Sequence, residues 1–468
     1  MNNVEKRRAK RRKHSSAASH FPVEPIKAAI VFLVIAAAFG AAIAYGAVDA
    51  WATAALAVLI SAILLLWIAD AWKTGTFSIN IDALYVPLLG LILIGIIQLL
   101  PLRTEHLAGD VLNFPAASAI SLDPYATRIF TVRLIILTTF FAAAYTFIDT
   151  KAKLERSVLA IVIFGSLMAF FGILQRLSGI GAIYGLRASP QAIPFGPFVN
   201  QHHFAGFMEM TSGLALGVLI GRGVSREGRI FLGLAAVVMG IGIIFTGSRG
   251  GLLSYCGVLA VAGVLSFLRL RDGDRRVTRI SRMAAFGGGA ALLIAVIATA
   301  FFLGGGEALF RGLGPNAQEV TSGRTHFWAA AWHIFLDHPA IGAGFDAFGV
   351  AFTRYDTWNG TFRIEQAHND YLQTLADAGI AGIICVFGFI YLLTRKSLTM
   401  IANSRDEMRT NIAIGALAGC TGIIIHSIFD FPLRTTSNAL FFLLLVVFAS
   451  AAIGKEGNAK RSLQKVAD

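Results

Sequence analysis

His368 sits in the stretch AHNDYLQTLADAGIAG (367–382), which follows a long polar insert, and Gly379, eleven residues later, is expected to end the helix. Histidine titrates near neutrality and can take or give a proton. Arg249, in TGSRGG, and Arg324, in TSGRTHFW, stand at the edges of other segments. Arginine presents a planar fork that binds phosphate bidentately and stays charged at any relevant pH. The glycines around Arg249 would let a bulky headgroup come close. Each residue also has a plainer reading. Arg249 can be a snorkelling anchor of a short turn, Arg324 a solvated loop arginine and His368 an interfacial structural residue.

The elements that must position these residues are membrane helices. Hydrophobic residues make up 56% of the chain and charged ones only 14%, with mean hydropathy +0.68. A helix needs about 20 apolar residues to cross a bilayer. Twelve segments qualify: 27–45, 47–69, 83–101, 129–147, 157–175, 203–221, 230–246, 251–268, 284–303, 379–394, 410–428 and 437–453. The alternation a barrel requires is scarce. The expected fold is therefore all-α, a polytopic helical membrane protein of about 12 transmembrane helices. A basic cytoplasmic N-terminus (1–26), one membrane domain (27–453) and a cytoplasmic tail (454–468) make up the expected organisation.

Charge distribution orients the bundle. Of the 40 Lys and Arg residues, 29 fall on the segments that are inside if the chain starts in the cytoplasm. This positive-inside asymmetry agrees with an even span count and with both termini in the cytoplasm. The net charge of +13 thus reads as orientation and contact with anionic lipid, with no nucleic acid as partner. Arg249, Arg324 and His368 then share the outer side. Cationic and titratable groups at one face of a membrane protein suit chemistry on an anionic, lipid-linked substrate. The longest outer loop, 304–378, contains Trp328, Trp332, Phe335 and Leu336 at i, i+4, i+7 and i+8, which predicts an interfacial amphipathic helix. Thr321 or Ser322 would cap its start, and Pro339 with Gly342 and Gly344 would end it.

Other outer polar residues are candidates to line a glycan or acceptor cavity, or simply to cap helices. They are Asn200, His202 and His203 in GPFVNQHHFAGF, Asn369 beside His368, and His426 and Asp430 in HSIFDFPL. Arg133, several residues inside the fourth span, either faces such a cavity or snorkels outward. No metal is expected: there is no H-E-x-x-H, and the Asp-x-Asp at Asp272 and Asp274 lies in a basic cytoplasmic loop. No cofactor is expected either. Cys256, Cys385 and Cys420 fall inside predicted spans and read as small packing residues.

At these positions the chain resembles the O-antigen ligase and O-antigen polymerase superfamily of bacterial membrane glycosyltransferases. The family's signature is a His followed by Asn, Ser or Gln, nine residues, Gly, two residues and a small or polar residue. It is met by His368, Asn369, Gly379 and Gly382. GPFVNQHHFAGF, TGSRGG and SGRTHFW resemble further family blocks in the family's order, so the likeness covers most of residues 195–435. The resemblance implies a GT-C-like architecture with one large periplasmic loop, in the bacterial inner (cytoplasmic) membrane. It implies a donor glycan on undecaprenyl pyrophosphate, held by Arg249 and Arg324, with His368 activating or orienting the acceptor hydroxyl. The acceptor would be lipid A-core for a ligase, or a second lipid-linked glycan for an O-antigen or exopolysaccharide polymerase. Related enzymes use protein hydroxyls. The HSIFDFPL block tilts the reading toward a polymerase.

A lipid-linked oligosaccharide transporter or flippase is the competing reading, since twelve spans suit it equally. It predicts charged residues near the bilayer midplane and two related halves. The candidate groups named above cluster instead at one face.

Overall fold

The computed structural model describes residues 24–103, 118–179, 181–189, 192–221, 223–273, 323–357 and 364–452. The long helices are α1 (Glu24–Ile43), α2 (Ala50–Thr74), α3 (Tyr85–Gln98), α4 (Pro124–Phe147), α5 (Lys151–Leu177), α6 (Gln201–Ile220), α7 (Arg226–Phe245) and α8 (Arg249–Gly273). After them come α9 (Arg324–Asp337), the short α10 (Phe348–Phe352), α11 (Asp370–Asn403), α12 (Glu407–His426) and α13 (Thr436–Ser450). Strand is confined, among the described residues, to a hairpin of Ala182–Ile183 with Arg187–Ala188. The protein is an all-α polytopic membrane protein.

Nine described helices are long and apolar enough to cross a membrane. The segments predicted at 83–101 and 437–453 appear as the shorter apolar helices α3 and α13. The segment predicted at 284–303 lies outside the described residues, as do the candidate caps Thr321 and Ser322. The outward faces carry large apolar side chains, including Phe32, Val58, Leu65 and Ile384, as a hydrocarbon surround demands. Trp72, 88% exposed near the end of α2, suits the membrane–water boundary.

Local chemistry sets many of the helix starts. Asp123 accepts from the Ala126 amide ahead of Pro124. Ser225 accepts from Gly228 at α7, and Asp406 from Arg409 at α12. Such caps satisfy amides that have no partner inside the helix.

Helix α6 is buried from His203 to Val218, and its most extensive partner is α12. The two backbones meet at Gly213, Gly217, Gly415 and Gly419. A Cβ added at Gly217 would lie 2.3 Å from the Gly415 Cα, so only glycine permits this approach. Close helix contact of this kind drives association where lipid offers no hydrophobic gain.

Helix α11 begins nine residues earlier than the span predicted at 379–394, and it does not end at Gly379. It breaks there, with φ 61° and ψ −158°, and continues to Asn403. The freed amides are satisfied by the loop after α9: Ile380 N donates to Pro339 O at 2.9 Å and Ala381 N to Ala340 O at 3.2 Å. A Cβ at Gly379 would lie 2.6 Å from the Pro339 oxygen, so this join requires glycine. The break therefore docks α9 onto the first half of α11.

The face by which α9 docks differs from the predicted stripe. Phe327, Ala330, Ala331 and Ile334 are buried against the residues around Ala367 and Ala376. Trp332 and Leu336 point outward, 48% and 53% exposed. The apolar stripe remains available to an interface, while a second and smaller-residue face makes the intramolecular contact.

Candidate active site

The candidate residues come from five separate elements that end at the same pole of the bundle. His202 lies in the first turn of α6, Arg249 starts α8, Arg324 starts α9, His368 precedes α11 and Asp430 follows α12. Two joins hold the last pair together. Asp370 N donates to Ser427 O at 2.8 Å, and the Ser427 hydroxyl donates to Asp370 Oδ2 at 2.8 Å.

Asp430 is the hub. Its carboxylate is 1% exposed and takes a hydrogen bond from the Phe431 amide at 2.9 Å. His368 Nδ1 lies 3.2 Å from Oδ1, and Arg324 Nη2 donates to Oδ2 at 3.2 Å. His202 Nδ1 lies 4.0 Å from Oδ2 and 2.8 Å from the Ser248 hydroxyl. Burial by itself would raise the Asp430 carboxyl. The hydrogen bond from His368 and the Arg324 guanidinium outweigh it and hold the group well below the usual carboxylate range. Asp430 is thus ionised at neutral pH.

That charge organises His368. With Nδ1 donating to the carboxylate, Nε2 is left as the proton acceptor. The ring is fixed on two further sides, by Phe327 at 5.9 Å and edge-on by Phe431 at 4.8 Å between centroids. The side chain keeps 30% exposure, so a ligand can reach it. The backbone of His368 is left-handed, with φ 52°, a conformation costly for a residue with a Cβ. His368 also stands two residues before α11, whose first turn is capped by Asn369. A residue needed only to start the helix would require neither the strain nor the carboxylate.

Arg249 is exposed at the first turn of α8, next to Ser248 and so one residue from the His202 contact. The neighbouring Gly250 and Gly251 are required by packing as well. A Cβ at Gly250 would meet Phe429 at 3.0 Å, and one at Gly251 would meet Ala205 at 2.8 Å.

The remaining candidates take supporting places. Asn200 caps α6 through the His202 amide at 2.8 Å, and Asn369 caps α11 through Tyr371 and Leu372. His203 is buried, bonds the Thr435 hydroxyl at 2.7 Å and backs Phe431. His426 does not line an open cavity: it is fully buried, with Nδ1 2.8 Å from Glu209 Oε1. Arg133 donates to the Arg434 carbonyl at 2.6 Å and lies over the Phe130 ring.

Two features escaped the sequence reading. Arg434 bridges Asp377 at 2.6 Å and Asp346 at 2.8 Å, beside the hub. Burial would lower its pKa, but the carboxylates of Asp377, Asp346 and Asp370 outweigh that and raise it. A lone arginine at the outer end of a span, as in FPLR, was the available signal. The other is Glu209, an acidic residue in the interior of α6, so charged groups are not confined to one face. Among the described residues no group of His, Cys, Asp and Glu side chains is arranged to hold a metal ion.

Fold and site together define a polytopic helical membrane protein with a carboxylate-organised histidine and arginines at one pole. Residues 234–387 match the family model described as O-Antigen ligase, in keeping with the superfamily that the sequence blocks resemble. The matched segment contains Arg249, Arg324 and His368 and stops before Asp430. No curated protein matches the chain. The domain supports an O-antigen ligase- or polymerase-type function.

Proposed function

We propose that this protein is a glycosyltransferase that uses a glycan on undecaprenyl pyrophosphate as donor and works at the periplasmic face of the bacterial inner membrane. The observation that carries the reading is the single buried carboxylate of Asp430 joining His368 to Arg324. In the proposed step the acceptor hydroxyl oxygen attacks the anomeric carbon as the bond to the pyrophosphate oxygen breaks. The hydroxyl proton passes to His368 Nε2, and undecaprenyl pyrophosphate leaves. Arg249 and Arg324 take up the charge that grows on the leaving group, the work a metal ion does in other transferases. The basic pole, where Lys151 meets Asp406 and Arg269 meets Ser404, lies at the other ends of the same helices. The positive-inside rule then turns the Asp430 pole outward. A single cysteine introduced at the exposed Thr325 in a cysteine-free background should therefore react with a membrane-impermeant maleimide in intact spheroplasts. Labelling only after permeabilisation would reverse the orientation.

The HSIFDFPL block favours a polymerase, which passes the glycan to a second lipid-linked glycan, over a ligase that passes it to lipid A-core. Purified protein given synthetic undecaprenyl-pyrophosphate glycan should extend it, and adding lipid A-core tests the ligase alternative directly. Lysine supplies charge without the fork, and each charge-assisted bond contributes about 1.5–3 kcal/mol. Arg249→Lys and Arg324→Lys should each lower turnover by roughly ten- to a hundredfold. Absence of turnover with either acceptor, alongside passage of the lipid across proteoliposomes, would instead establish the transporter reading.

A further inference from the structure

At the basic pole, the starts of α5 and α12, the last turns of α11 and the end of α13 enclose a cavity of about 1070 Å³. Five cations line it: Lys151, Arg395, Lys396, Arg405 and Arg409. Two of them are matched. Lys151 pairs with Asp406 at 2.5 Å and with Glu155 at 3.8 Å, and Lys396 pairs with the buried Asp82. Among the described residues no carboxylate pairs with Arg395, Arg405 or Arg409.

Arg409 shows the imbalance most clearly. It is 6% exposed, and its two terminal nitrogens donate to the Phe448 and Ala451 carbonyls, each at 2.6 Å. Its Nε is buried without a hydrogen-bond partner. Its guanidinium bonds only carbonyl oxygens, and the Asp406 carboxylate that acts on it through charge is already held by Lys151, so a further anion is the group that would answer it. Arg395 and Arg405 stand exposed at the rim, with the planar forks that suit phosphate oxygens. Next to the rim the outer faces are apolar: Leu159, one turn beyond Glu155 on α5, and Leu398 on α11 are both exposed.

We propose that this cavity binds the phosphate headgroup of an anionic membrane phospholipid, with its acyl chains lying along the exposed faces of α5 and α11. A free phosphate shares the headgroup chemistry. The apolar faces beside the rim favour the lipid, and basic pockets between helices at the cytoplasmic surface are where such headgroups bind. The site is separate from the Asp430 pole, and its test does not depend on transferase activity.

The full chain, purified in detergent, is titrated with phosphatidylglycerol or phosphatidylcholine, and bound lipid is counted by native mass spectrometry. Phosphatidylglycerol should bind in preference. The double variant Arg395→Gln, Arg405→Gln should weaken that binding by roughly tenfold or more. Arg226→Gln, an exposed cation elsewhere on the basic pole, should leave it unchanged. Arg409→Gln should act in the same direction, but the rim pair carries the test because Arg409 also ties α12 to α13. Equal binding of the two lipids, or an equal loss in Arg226→Gln, would overturn the site in favour of diffuse attraction. Inorganic phosphate bound through the same arginines, with no preference for phosphatidylglycerol, would overturn the lipid in favour of a soluble anion.

Discussion

His368→Ala is expected to lower glycan transfer by about a hundred- to ten-thousandfold, the range a positioned general base contributes. A sugar hydroxyl is a poor nucleophile, and Nε2 is the ring nitrogen left to take its proton while Asp430 holds Nδ1. The variant should still insert in the membrane and still bind donor, because Arg249 and Arg324 are untouched. His368→Gln separates two roles. Glutamine hydrogen-bonds but does not accept a proton at neutral pH, so rescue by it would mean that His368 only orients the acceptor. Donor binding and transfer measured side by side in nanodiscs decide the matter. Loss of donor binding as complete as in an Arg249 and Arg324 double variant would show that the division of labour is wrong. Full transfer by His368→Ala would return His368 to a structural role.

Asp430→Asn should reduce transfer by a similar factor for a different reason. The carboxylate sets the tautomer of His368 and stabilises its protonated form, and neutralising the equivalent partner in a serine-protease triad costs about ten-thousandfold. The side chain is 1% exposed and asparagine preserves its shape, so the substitution removes charge without opening a cavity. Its effect on donor binding should have the opposite sign. Asp430 occupies an Arg324 nitrogen and adds negative charge near the place proposed for pyrophosphate. Removing that charge should leave donor binding equal or tighter while turnover falls. Turnover at the wild-type rate would detach Asp430 from His368. Donor binding weakened as far as in Arg324→Lys would mean that Asp430 chiefly holds Arg324 in place.

Much of the site was legible in the residues themselves. Arg249, Arg324 and His368 stood out because they carry specific chemistry and fall on the predicted outer side, where basic residues are fewer. Asp430 was named as well, but only among groups that cap helices or line a cavity. Its rank depends on which other chains end beside it, and those contacts span 106 residues to Arg324 and 62 to His368. No local pattern contains such separations. Asn200 and Asn369 show the converse. Asparagine just before an apolar helix is a cap by local chemistry alone, and the caps are what the fold displays.

Composition and periodicity determined that this protein is an all-α membrane bundle, because bilayer thickness and backbone hydrogen bonding leave few other solutions for so apolar a chain. They also set where most spans lie and on which pole the basic residues collect. Tertiary structure decided which face of α9 is buried, that α11 continues past Gly379, and that His426 turns to Glu209 inside the bundle while Asp430 gathers His368 and Arg324. The apolar stripe of α9 can satisfy lipid as well as protein, and Gly379 can end a helix or merely break one. His426 and Asp430, four residues apart at the end of α12, differ only in which distant groups meet them. In each case the local energies are nearly balanced, and packing between distant segments selects the outcome.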